Sequence, residues 1–245
     1  MPTVGVIGLG AMGGAIAARL AHQQLNVYGY DINPASVERL VAAGGKGSST
    51  SMDDVVSLAE IIITSVPNAD ILRSVLQSGL LERLQPKHSF VEMSTILPQE
   101  MEEIAGLIGD RVAEVVDAPV SGGPPQALEG KLSLLVGVGT LRNVPEPHKA
   151  QLQPRTEEVL SKLDSINLVG SVGQGKIIKL INNMISLGTP AVVVEALQLG
   201  AYLGLDYSTM YDVLSRSGAA SVTFNERVPY VLENDFSARF RYPPC

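Results

Sequence analysis

The chain has 245 residues, enough for one large domain or two ordinary ones, and its 45% hydrophobic against 18% charged residues allow a sizeable core. A net charge of -7 argues against a nucleic-acid surface, which needs a basic patch; the largest basic cluster, Arg239 to Arg241, is too small to reverse that. The single cysteine, Cys245, excludes a disulfide framework within one chain and fits a reducing compartment.

The N-terminus enters a strand pattern at once, with no signal or basic transit segment ahead of it. A cytoplasmic location is therefore expected, or the mitochondrial matrix if a transit peptide has been removed. Val4 to Ile7 is a strand and Ala11 to Leu20, rich in Ala, a helix. Asn26 to Tyr30 is a second strand, closed by Asp31. Pro34 to Ala43 is a helix with Asn33 as cap and Pro34 at its first position. Ser51 to Leu58 is a short helix with acidic residues in its first turn. Strands at Ile61 to Val66, Ser89 to Met93, Val112 to Val116 and Leu132 to Val136 alternate with helices at Ala69 to Gln77 and Pro98 to Ile108. That alternation predicts βαβ units and a mainly parallel sheet with helices on both faces.

From Gly137 to Arg155 the pattern degrades, and Pro145, Pro147 and Pro154 predict a long surface loop. A helix at Thr156 to Leu163 and a strand at Ile166 to Val169 follow. Beyond Gly175 strand signals stop. One long helix runs to about Leu203, with Gly188 and Pro190 expected to bend it, and two shorter helices follow near Ser208 to Leu214 and Val222 to Leu232. The expected organisation is a dinucleotide-binding domain over residues 1–169 and an all-helical domain over 170–245. Ile185 to Ala201 is apolar enough to raise a membrane question, but Glu195, Gly188 and Pro190 interrupt it, so a buried core helix is expected.

Three stretches carry chemistry. Gly8-Leu9-Gly10-Ala11-Met12-Gly13 follows a strand and opens a helix. Gly8 permits a tight turn, Gly10 lets a pyrophosphate approach the backbone, and Gly13 lets helix and strand pack closely. The helix N-terminus offers free N–H groups to phosphates. Asp31, ending the second strand, is placed to accept hydrogen bonds from an adenosine ribose and to repel a 2′-phosphate, so NAD is expected over NADP. The plainer alternative is a glycine turn beside an exposed Asp. The second stretch is Asp117-Ala118-Pro119-Val120-Ser121-Gly122-Gly123-Pro124, where consecutive N–H groups and the Ser121 hydroxyl could form a nest for a carboxylate. On composition alone a plain Pro/Gly turn is the favoured reading. Ser94-Thr95, third, could face nicotinamide or substrate, or cap the helix that starts at Pro98.

Lys179 and Asn183, at i and i+4 in Gly173-Gln174-Gly175-Lys176-Ile177-Ile178-Lys179-Leu180-Ile181-Asn182-Asn183, share one helix face. A lysine beside apolar walls loses hydration, which moves its pKa toward the range useful for proton transfer. The alternative is a lysine that snorkels to water.

In this order the motifs resemble the β-hydroxyacid dehydrogenase family, which includes 3-hydroxyisobutyrate dehydrogenase. The resemblance runs from Val4 to about Phe240. It implies a Rossmann domain, a long interdomain helix, a helical C-terminal domain, and NAD(P)-dependent oxidation of a β-hydroxy acid or reduction of its semialdehyde. It also implies roles: Ser121, Gly122 and Gly123 at the substrate carboxylate, Lys179 as acid/base with Asn183 as polar partner, and Thr95 at substrate or nicotinamide. Gly8, Leu9, Gly10, Ala11, Met12, Gly13, Asp31, Val66, Pro67 and Phe240 are implied in cofactor binding. Lys176 sits one turn too early to match the catalytic lysine, and no metal site is expected. A small hydroxy acid or semialdehyde is the expected ligand, a homo-oligomer through the helical domain the expected assembly, and neither nucleic acid nor membrane a partner. Two departures stand out. Residues 139–154 are longer and more irregular than the family pattern, and the segment from Glu233 to Phe240 is followed only by Arg241-Tyr242-Pro243-Pro244-Cys245, so the helical domain looks truncated. Two alternatives follow: an NAD-binding pseudo-enzyme or interaction module, and an NADPH-dependent semialdehyde reductase of the same fold.

Overall fold

The structure, a computed structural model, describes residues 1–48, 50–139, 151–233 and 235. It comprises two compact units, 1–179 and 180–245.

Among the described residues, the first unit is built on a nine-stranded sheet. In chain order its elements are β1 (Thr3–Ile7), α1 (Ala11–His22), β2 (Asn26–Tyr30), α2 (Pro34–Ala42), β3 (Lys46–Ser48), α3 (Asp53–Leu58), β4 (Ile61–Thr64) and α4 (Ala69–Val75). The chain passes through a wider turn at Leu76–Leu80 into α5 (Leu81–Arg83), then β5 (Ser89–Glu92), α6 (Pro98–Ile108), β6 (Glu114–Asp117), β7 (Val120–Ser121), α7 (Pro124–Glu129), β8 (Leu132–Gly139), α8 (Pro154–Leu160) and β9 (Asp164–Gly170). The sheet order is β3-β2-β1-β4-β5-β6-β8-β7, with β9 on β8. From β3 to β6 every pairing is parallel; β8 runs antiparallel to β6 and β7. The fold is thus a mainly parallel Rossmann-type sheet followed by a helical region.

Both sheet faces are buried, which is why the strands read as continuous apolar runs rather than alternating ones. Side chains alternate between two cores. Val4, Val6, Ile61, Ile63, Val91 and Val116 join α1, α2 and α8 on one face. Ile7, Ile62, Phe90 and Val115 join α3, α4 and α6 on the other.

Four elements escape the sequence pattern, the three-residue α5 among them. β3 and β7 are too short to show periodicity, and α7 starts at Pro124, where a Pro-Pro pair reads as a turn but also suits the first helical position. Of the expected loop from Gly137 to Arg155, Gly137 to Gly139 extend β8 and Pro154 opens α8, residues 151–153 form irregular chain ahead of it, and residues 140–150 lie outside the described residues. The unit boundary falls at Lys179 rather than at residue 169, because the first turn of the long helix α9 (Gln174–Tyr202) is anchored to the sheet.

In the second unit α10 (Tyr207–Leu214) and α11 (Val222–Leu232) pack with the later part of α9 around Leu197, Met210, Phe224 and Val228. The Tyr211 and Phe224 rings stack with centroids 6.0 Å apart. The expectation of a buried core helix at Ile185 to Ala201 is not met. α10 and α11 cover the stripe carrying Val193, Leu197 and Ala201, and Met184, Ile185, Leu187 and Val192 stay 62–80% exposed. Pro190 lies inside α9, where it removes one backbone donor.

Candidate active site

The parallel strands carry Gly8, Asp31, Val66, Ser94 and Ala118 just beyond their carboxyl ends, all on one edge of the sheet. Chain order reverses between β1 and β4, and the crevice at such a switch point is where open α/β sheets take ligands.

The glycine turn sits there. Gly8 has φ +90°, a left-handed conformation that favours glycine, and a Cβ on it would overlap the Ser65 carbonyl oxygen. A Cβ on Gly13 would overlap the Gly8 carbonyl oxygen, so α1 can lie this close to β1 only without a side chain. A Cβ on Gly10, by contrast, would meet nothing within 4 Å. Gly10 caps α1 without any side-chain hydrogen bond, so the first-turn N–H groups, including those near Ala11 and Met12, are left to an incoming anion. This arrangement fits a dinucleotide pyrophosphate. Asp31 braces the turn: its Oδ2 accepts the Leu9 N–H at 2.7 Å and its Oδ1 the Asn33 N–H at 2.8 Å. Each carboxylate oxygen keeps a second lone pair for a ribose hydroxyl.

On the far side of the crevice, Ser94 and Thr95 separate in role. Ser94 is buried and its Oγ accepts the Val66 N–H at 2.9 Å, tying the β5 turn to the Val66-Pro67 turn. Thr95 is exposed and open to a ligand. Ser121 ends β7, half-buried and paired with Ser133 on β8. Gly122 follows with φ +124°. The Gly123 N–H, expected to be open, donates to Gln126 Oε1 at 3.0 Å, because α7 begins here and Gln126 caps its first turn.

Lys179 is half-buried on α9, and burial pushes its ammonium below the ordinary value of 10.5, with the like charge of Lys176 adding to the effect. Asn183 lies one turn further along α9 in the second unit, where its Oδ1 accepts from Asn182 Nδ2 at 3.3 Å. Phe240 lies outside the described residues.

Sequence reasoning missed three groups beside Lys179. Lys176 is 1% exposed, and its ammonium contacts Glu92, which is 0% exposed at the end of β5. Asp117 receives the Lys176 backbone N–H on Oδ2 at 3.0 Å and so caps α9 from a neighbouring strand. Burial raises the Asp117 carboxyl to about 6 against the opposing pull of Lys176. Glu92 was the available signal: a charge within the apolar run Phe90-Val91-Glu92-Met93 of a central strand demands a buried partner.

Comparison with known proteins agrees with this geometry. A family model described as the NAD binding domain of 6-phosphogluconate dehydrogenase matches residues 3–153. The chain belongs to the β-hydroxyacid dehydrogenase family. A second model, described as the NAD-binding domain of NADP-dependent 3-hydroxyisobutyrate dehydrogenase, matches residues 173–243. Among relatives in the family, 2-(hydroxymethyl)glutarate dehydrogenase of Eubacterium barkeri is 32% identical over 97% of this chain and 76% of its own length. The 3-hydroxyisobutyrate dehydrogenase of Pseudomonas aeruginosa is 31% identical over 94% of this chain and 74% of its own. A Mycobacterium tuberculosis 3-hydroxyisobutyrate dehydrogenase structure with L-serine superposes with a TM-score of 0.83 at 26% identity, covering 98% of this chain and 81% of that one. These relatives are NAD(P)-dependent oxidoreductases acting on CH–OH groups.

Proposed function

We propose that this chain is an NAD-dependent oxidoreductase interconverting a β-hydroxy acid of the 3-hydroxyisobutyrate kind and its semialdehyde, with Lys179 as general acid/base. The observation that carries the proposal is Lys179 itself: a half-buried amine with a lowered pKa, on a helix anchored at the ligand-binding edge of a dinucleotide fold. Gly8 to Gly13 and Asp31 hold the cofactor, with Val66, Pro67 and Thr95 toward its nicotinamide end. When bound, the cofactor supplies a hydride acceptor or donor at C4 of its nicotinamide ring. Lys179 as free amine takes the hydroxyl proton in oxidation, and as ammonium returns it to the carbonyl oxygen in reduction. Asn183 orients that oxygen, and Ser121 and Gly122 receive the anionic end of the substrate.

Relatives named for 2-(hydroxymethyl)glutarate, L-threonate, 3-hydroxyisobutyrate and 3-sulfolactaldehyde all carry an anionic group near the reacting carbon, so those compounds form the natural panel. Initial rates with each, using NAD(H) and NADP(H) in parallel, test the reading. Turnover with at least one member and a higher kcat/KM for NAD are expected. Cofactor binding without turnover of any would sink the enzymatic reading, and a preference for NADP would remove the role given to Asp31.

The exposed apolar residues of α9 support self-association through the helical unit. By length and composition α9 could also cross a membrane. Glu195 and Pro190 within it favour the protein partner. Sedimentation velocity without detergent should show a dimer or larger species at micromolar concentration; a monomer would contradict this.

A further inference from the structure

Three residues before Lys179, the buried Lys176 ammonium spends each of its three N–H donors on the end of β5. It reaches Glu92 Oε2 at 2.5 Å, the Glu92 carbonyl oxygen at 2.9 Å and the Ser94 carbonyl oxygen at 3.0 Å. Glu92 Oε1 in turn accepts the Ser94 N–H at 2.8 Å, and Ser94 Oγ accepts the Val66 N–H. One run of hydrogen bonds therefore joins α9 to the turns after β5 and β4. We propose that Lys176 is a positioning residue: with Glu92 it clamps the first turn of α9 to the Ser94-Thr95 and Val66-Pro67 turns, holding Lys179 in register with the nicotinamide end of the crevice.

Stability alone does not account for the pair. An apolar pair of equal volume is often as stable as a buried ion pair, whereas three directed bonds specify one docking geometry. Position matters on the scale of an ångström for proton and hydride transfer. The clamp also places a fixed positive charge one turn from Lys179, where it adds to burial in disfavouring the Lys179 ammonium. Among the described residues, the charged groups facing this turn from other elements are Glu92 on β5, Asp117 on β6 and Glu102 on α6 beside Gly173. The inference rests on Lys179 carrying the proton.

Its test reads Lys179 directly, without needing the substrate. The full chain and its Lys176→Met and Lys176→Arg variants are labelled with acetic anhydride across a pH series, and the Lys179 peptide is quantified by mass spectrometry. Removing the neighbouring charge favours the Lys179 ammonium, so Lys176→Met should move the labelling midpoint to higher pH and slow labelling below it about threefold or more. Lys176→Arg should hold the midpoint near that of the parent. On a substrate found in the panel, Lys176→Met should lower kcat about 10- to 100-fold with little change in KM for NAD. If Lys176→Met does not fold, the Lys176→Met/Glu92→Leu pair, which removes both charges and keeps the volume, should still move the midpoint upward, by less than the single variant because the Glu92 carboxylate is lost as well. An unshifted midpoint in folded Lys176→Met, or in the double variant where that replaces it, overturns the clamp. Lys179→Ala separates the two claims: full turnover there defeats the proton-transfer reading whatever the midpoint does, while lost turnover with an unshifted midpoint defeats the clamp alone.

Discussion

Lys179→Ala should cut turnover by about 10²- to 10⁴-fold, the usual span of general acid–base catalysis, while cofactor affinity stays within about twofold. The split follows from placement. The glycine turn and Asp31 belong to β1, α1 and β2, and Lys179 contributes no hydrogen bond to them. Isothermal titration with NAD and initial rates with the active substrate measure the two quantities on one preparation. The parent's pH dependence should agree. In oxidation the free amine is the working form, so the rate should rise with pH to a midpoint below the ordinary 10.5. In reduction the ammonium works, and the rate should fall through the same midpoint. A Lys179→Ala variant that keeps both its rate and this profile would refute the assignment.

The second large effect concerns stability. Glu92→Leu takes the carboxylate from the Lys176 ammonium and leaves it only the carbonyl oxygens of residues 92 and 94 as acceptors, in a place where both side chains are fully buried. Removing one partner of a buried ion pair costs about 3–5 kcal/mol. At ~2–4 °C per kcal/mol for a chain of this size, the thermal midpoint should drop by about 6–20 °C. Glu92→Leu/Lys176→Met should recover most of that loss, since neither charge remains. Recovery stays incomplete because the Ser94 N–H, which now donates to Glu92 Oε1, keeps no acceptor. Scanning calorimetry on parent, single and double variants reads the difference. If the single variant melts no lower than the double, Lys176 is not held as a buried charge.

Much of the site was legible because local rules produce it. Gly8, Gly10 and Gly13 announced their turn through spacing, and the φ of Gly8 and the crowding at Gly13 are what that spacing requires. Lys179 and Asn183 could be placed on one face from helical periodicity alone. Lys176 was harder. Its position one turn before the catalytic match made it look incidental, and only the approach of β5, distant in sequence, shows what its ammonium holds. The same applies to Gly123, whose N–H is taken by a helix that a Pro-Pro pair disguised.

The sequence by itself therefore determined the main alternation of strands and helices, the glycine turn and the shared helix face of Lys179 and Asn183, because each depends on neighbours within a turn or a strand. Tertiary structure alone decided which charged groups meet across strands and which side of α9 is covered. Glu92 and Lys176 find one another over a sequence separation of 84 residues. No local periodicity records such a contact; burial makes it compulsory, because a charge removed from water in the sheet must be met by a partner wherever the fold brings one.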